Sequence, residues 1–62
     1  MPRPPETVRR LRTEIHHVVL EGHELAPTGA PRDEIERNRL ELAVLRLELS
    51  HAVSQRILAR AA

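Results

Sequence analysis

Along the first half of the chain, apolar positions recur at alternating spacings of three and four: Val8, Leu11, Ile15, Val18, Gly22 and Leu25 fall on one face. That alternation is the a/d seam of a heptad and predicts a helix over about residues 6–25. Before it, residues 1–5 read MPRPP. Three prolines fix the backbone and remove donors there, so an extended arm leading into a helix start is expected. After it, the segment APTGAP carries two prolines and a glycine, which predicts a loop over residues 26–30 and a tight reversal. Pro31 suits the first turn of a second helix, and Asp33 and Glu34 suit its positive end. From there to about residue 60 no Gly or Pro intervenes. The run LELAVLRLEL alternates like a strand, but its Leu, Glu, Ala and Arg content and unbroken flanks favour a helix over about residues 31–60. Residues 6–62 are thus expected to form one all-α unit, an antiparallel helical hairpin.

The second helix differs from the first in carrying two apolar stripes. At about 100° per residue, Ile35, Asn38, Leu42, Leu45, Leu49, Ala52 and Val53 share one stripe, while Leu40, Val44, Leu47 and Leu58, with His51 among them, lie almost diametrically opposite. The first helix can cover only one stripe. The other is expected to lie against a second subunit or another partner, and the simplest closed solution is a two-fold dimer that forms a four-helix bundle. The interface residues would be Leu40, Val44, Leu47, His51 and Leu58. Because the helices are unequal, residues after about 51 are expected to extend past the start of the first helix, leaving Val53, Ile57 and Leu58 as a docking element for a protein partner.

Composition supports association. Sixty-two residues bury too little surface to offset chain entropy comfortably, and with no cysteine there is no disulfide framework or thiolate zinc site. Aromatic residues are absent, so the core must be aliphatic, and base-stacking platforms for single-stranded nucleic acid are missing. All ten basic residues are arginine, and with nine acids the net charge is only +1, which is not the footprint of a nucleic-acid binder. The Arg-for-Lys bias with abundant Ala, Leu and Pro suits a bacterial, GC-rich coding genome. No apolar run approaches the roughly 20 residues of a membrane span, and the start lacks the regions of a signal peptide, so a cytoplasmic protein without a membrane partner is expected.

Candidate chemistry concentrates in RTEIHHVVLEGHEL, residues 12–25, which holds three histidines and three glutamates. His16 and His23 share one flank of the helix but lie roughly 10 Å apart, too far to ligate one metal ion. His17 lies near the opposite flank with Glu14, Glu21 and Glu24. Glu14 with His17, and Glu48 with His51, are Glu-x-x-His pairs, the spacing by which di-iron bundles present a carboxylate and an imidazole to a metal. Metal-binding bundles point such ligands inward, whereas Glu14 and His17 sit away from the seam. Glu48 and His51 are better placed, on a stripe where a dimer would bring two copies together. Against metal binding stands the simpler reading of surface ion pairs on the first helix and a hydrogen-bonded seam histidine at 51. Asn38, among Ile and Leu, either fixes register or oligomer state, or reaches water or backbone near a helix end.

Two function classes remain beside association. Arg3, Arg9, Arg10 and Arg12 could touch nucleic-acid phosphates, but no recognition helix or ribbon follows them. Catalysis has no Gly-rich phosphate loop, nucleophile elbow or convergent dyad to rest on.

The run VVLEGHELA resembles a small actinobacterial helical-hairpin family of unknown function whose first helix ends in Glu-Glu-His-Glu-Leu. Glu21, His23, Glu24 and Leu25 match, Gly22 stands where that family has Glu, and its tryptophans are missing. The resemblance implies a hairpin and no activity. The layout also resembles the hairpin co-chaperones of type III secretion and the short aspartyl-phosphate phosphatases. Where the phosphatases carry Ser-Gln-Glu-Leu-Asp, this chain reads RLELA at residues 39–43, and Ala43 lacks the acid that activity would require. The expectation is a non-enzymatic homodimer that binds a protein partner as a regulator, adaptor or chaperone, without a cofactor unless a metal ion binds.

Overall fold

The computed structural model describes residues 5–61, which form two helices packed as an antiparallel hairpin: α1 (Pro5–Leu25) and α2 (Arg32–Ala61). No strand occurs among the described residues. The result is a rod of 49 × 16 × 13 Å. Pro5 is the first residue of α1, a position where proline's missing N–H would have had no intrahelical acceptor anyway. It therefore belongs to the helix and not to the expected arm, whose remaining residues, 1–4, lie outside the described residues.

The reversal is a Schellman motif, which satisfies carbonyls that the end of α1 would otherwise orphan. Ala30 N–H donates to the Leu25 carbonyl at 3.0 Å, and Gly29 N–H donates to the Ala26 carbonyl at 3.1 Å. These are the two bonds of that motif, with Gly29 at its left-handed position, φ 72°. A glycine there avoids the Cβ penalty of positive φ. Thr28 N–H donates to the Glu24 carbonyl at 3.2 Å, as in a continuing helix, and the Thr28 hydroxyl also reaches that carbonyl at 2.8 Å. The helical path thus runs on through Pro27 to Thr28, and the chain turns near Ala30. On the far side, the Pro31 carbonyl accepts from Glu34 and Ile35 N–H to open α2.

The core is one cluster between the helices: Val8, Leu11 and Val18 from α1, and Leu45 and Ala52 from α2, with Ile15, Leu42, Leu49 and Val53 packed around it. It is thin. Leu11 is the one large side chain that is fully enclosed among the described residues. Its upper end is fastened by a polar contact, in which the Asn38 amide donates from Nδ2 to the Val18 carbonyl at 3.0 Å. Gly22 makes room for it, since a Cβ there would lie 2.7 Å from Asn38 Oδ1. Of the two readings of Asn38, both hold in part: it reaches backbone, but on the facing helix, where the bond sets the level of α2 against α1.

That level corrects the expected overhang. Ala52 is completely buried, and Arg56 lines a surface depression together with Val8, Arg9 and Arg12, so α1 covers α2 about one turn beyond residue 51. The cause is the extension of α1 to Thr28, which moves the turning point toward Ala30. The uncovered end begins at Ile57, not at His51.

Candidate functional site

The outer face of α2 follows from its sequence spacing. Leu40, Val44, Leu47, His51, Ser54 and Leu58 are separated by four, three, four, three and four residues, a heptad row as regular as the inner one. A helix presents positions so spaced along one stripe, and α1 already occupies the opposite side. Accordingly Leu40 is 67% exposed, Val44 54%, Leu47 59% and Leu58 68%, and His51 is exposed between them. α1 leaves one comparable residue, Leu20 at 47%. Isolated exposed aliphatics are ordinary on protein surfaces; a continuous row on one helix face is the less usual observation.

The two flanks of α2, between the outer row and α1, carry opposite charge. Glu34, Glu41 and Glu48 recur every seventh residue along one flank, and Arg32, Arg39 and Arg46 every seventh residue along the other. The separation continues onto α1. Glu21 lines a shallow depression with Glu34, Glu41 and Arg37, whereas Arg9 and Arg12 flank Arg56 in the depression on the opposite side of the hairpin. Among the described residues two ion pairs form, Arg10 Nε to Glu14 Oε1 at 3.9 Å and Arg39 Nη1 to Glu36 Oε1 at 3.6 Å. Both are well exposed, and such pairs add little to stability. The near-zero net charge therefore conceals a hairpin with an acidic broad side and a basic one.

The other candidate residues are scattered. His16, His17 and His23 are exposed on α1, and the rings of His16 and His17 are 6.4 Å apart and tilted. Among the described residues no group of three or more His, Asp or Glu side chains converges, so within one chain Glu14/His17 and Glu48/His51 each remain a two-residue pair. Of the basic residues considered for nucleic acid, Arg9 and Arg12 share a depression with Arg56 and Arg10 turns to Glu14, while Arg3 lies outside the described residues. Val53 is half-buried against the core, so of the three docking residues expected near the C-terminal end, only Ile57, at 62%, and Leu58 present most of their surface. Charge read as a total hides these two flanks of α2; the signal that reveals them is their seven-residue spacing. No helix is long and apolar enough to cross a membrane among the described residues.

Compared with known protein families, curated proteins and solved structures, the chain matches none.

Proposed function

We propose that this protein is a non-enzymatic helical hairpin that acts by association: it pairs with itself through the outer row of α2 and engages a further protein near its C-terminal end, in the manner of a small regulator, adaptor or chaperone. The observation that carries this reading is the exposure of Leu40, Val44, Leu47 and Leu58 in one heptad row, on a hairpin whose core encloses five side chains among the described residues. Covering that row removes aliphatic surface from water at roughly 25 cal/mol per Å², a gain that a thin monomer lacks internally. Ile57 and Leu58, beyond the reach of α1, supply the apolar anchor for a further protein.

The four-helix assembly that results takes a flat form. A square bundle needs apolar faces about a quarter-turn apart on each helix. Here the rows on α2 are opposed, so two hairpins joined through the outer row place both α2 helices at the centre and an α1 on each outside.

Sedimentation velocity and light scattering at micromolar concentration test the reading. A dimer is expected for the parent chain, with Val44→Glu or Leu47→Glu shifting it to monomer and Leu20→Glu leaving it unchanged. A folded, stable monomer at those concentrations sinks the proposal.

A further inference from the structure

We propose that the depression at the end of the rod where α1 begins and α2 finishes is a binding site for a phosphate group, held by Arg9, Arg12 and Arg56. The inference goes beyond self-association and does not depend on it, since none of the three residues belongs to the outer row of α2.

The depression is lined by these three arginines and Val8. Arg9 and Arg12 stand one turn apart on α1 and Arg56 arrives from α2, so the site exists only in the folded hairpin. Arg56 is the unusual member. Asn38, Leu42, Leu45, Leu49, Ala52 and Arg56 are separated by four, three, four, three and four residues, which makes Arg56 the next position of the inner seam after the completely buried Ala52. An aliphatic residue there would extend the core over Val8. Arginine instead brings a half-buried side chain to the end of the seam, beside two more guanidiniums from the facing helix. Its methylenes can cover Val8, as long basic side chains commonly do, but that does not account for three like charges around one hollow.

Carboxylates of the hairpin do not neutralise them. Arg10, next to Arg9 in the chain, engages Glu14, and Arg39 engages Glu36. Among the described residues no carboxylate engages Arg9, Arg12 or Arg56, although Glu6 stands in the first turn of α1, and none of the three side chains donates a hydrogen bond to a protein acceptor. Unpartnered guanidiniums around one depression repel one another, a local cost to the hairpin that a bound anion removes. The donor set favours phosphate over a carboxylate. Each guanidinium presents a planar fork that matches two oxygens of a tetrahedral anion, and a phosphate monoester brings close to two negative charges and three acceptor oxygens, where a carboxylate brings one charge and two oxygens.

Inorganic phosphate is the probe that tests the site. In proton-nitrogen correlation spectra of the isotope-labelled chain, the Nε–H signals of Arg9, Arg12 and Arg56 are expected to shift and saturate as phosphate replaces chloride at constant ionic strength. Arg39 should stay unmoved, since it lies about 25 Å along α2 from Arg56, beyond the screening length. Arg56→Gln and Arg12→Gln should each weaken phosphate binding by about tenfold, the loss of one charge-assisted contact, while Arg39→Gln leaves it unchanged. Arg12 is exposed, so its variant keeps the test valid if the change at the half-buried Arg56 disturbs folding. Shifts that do not saturate or that spread evenly over all arginines, or an affinity that a folded Arg12→Gln chain retains, overturn the site. A phosphoserine peptide then distinguishes the source: tighter binding than inorganic phosphate assigns a phosphorylated segment of a protein, and equal binding assigns a small phosphate ester. A duplex oligonucleotide whose binding falls equally in Arg39→Gln and Arg56→Gln overturns a discrete site in favour of a diffuse basic side. Any of these failures leaves the oligomeric state, and with it the reading above, untouched.

Discussion

α1 and α2 are built from nearly the same aliphatic alphabet, yet they solve different problems. α1 gathers its apolar residues on one side, and its back is polar but for Leu20. α2 has an equally good seam toward α1 and then repeats the pattern on its back. A one-sided helix is finished when its partner arrives; a two-sided helix is not. The comparison separates residues that make the hairpin from residues that the proposed association would use, because the two groups occupy opposite faces of one element.

The largest way to break that division is to attack the shared core. Leu11→Ala removes the one fully enclosed large side chain, and such truncations cost about 2–5 kcal/mol. In so thin a core this should abolish cooperative thermal unfolding followed by circular dichroism, and unchanged melting would contradict the account of the fold. Next comes the outer row. Leu47→Glu should lower the apparent melting temperature at high protein concentration but leave it little changed at high dilution, where the parent is also monomeric; a loss independent of concentration would place Leu47 in the hairpin's own stability instead.

A smaller effect sharpens the comparison from the other side. His51→Leu replaces a polar layer in the outer row by a leucine, and association measured by sedimentation equilibrium should tighten by about tenfold, equivalent to about 1.4 kcal/mol. No change in affinity would mean that His51 stays in water. Smallest is the fastening at the top of the inner seam. Asn38→Ala should cost about 1 kcal/mol, the usual net worth of one hydrogen bond. Gly22→Ala should be close to neutral in the parent, where the gain in helix propensity meets the crowding of Asn38 Oδ1, but stabilising by about 1 kcal/mol once Asn38 is alanine. Urea melts of the four variants in that cycle give the coupling directly.

Much of this hairpin could be read from spacing. The alternation of three and four from Val8 to Leu25, and the two opposed rows of α2, are properties of a 3.6-residue helix that no tertiary contact alters. What spacing does not contain is level. How far α2 slides along α1 depends on where the chain turns, and Pro27, which lacks an N–H, looks like a stop although the helical path passes through it to Thr28. The overhang expected from helix lengths alone is therefore about one turn too long. Asn38 on its own was ambiguous; only beside Gly22, distant in sequence, does its role become definite. The RTEIHHVVLEGHEL cluster shows the opposite failing, since its density in sequence is dispersed by the helix onto separate flanks.

The distribution of charge along the rod has a consequence for the molecule as an electrical object. Arg9, Arg10, Arg12, Arg56 and Arg60 gather at the end where α1 begins and α2 finishes, with Glu6 and Glu14 among them, whereas Glu21, Glu24, Asp33, Glu34, Glu36 and Glu41 outnumber Arg32, Arg37 and Arg39 toward the turn. Axial helix dipoles largely cancel in an antiparallel hairpin, so this lengthwise separation of side-chain charge sets the principal moment, and a single hairpin should align along its length in an electric field.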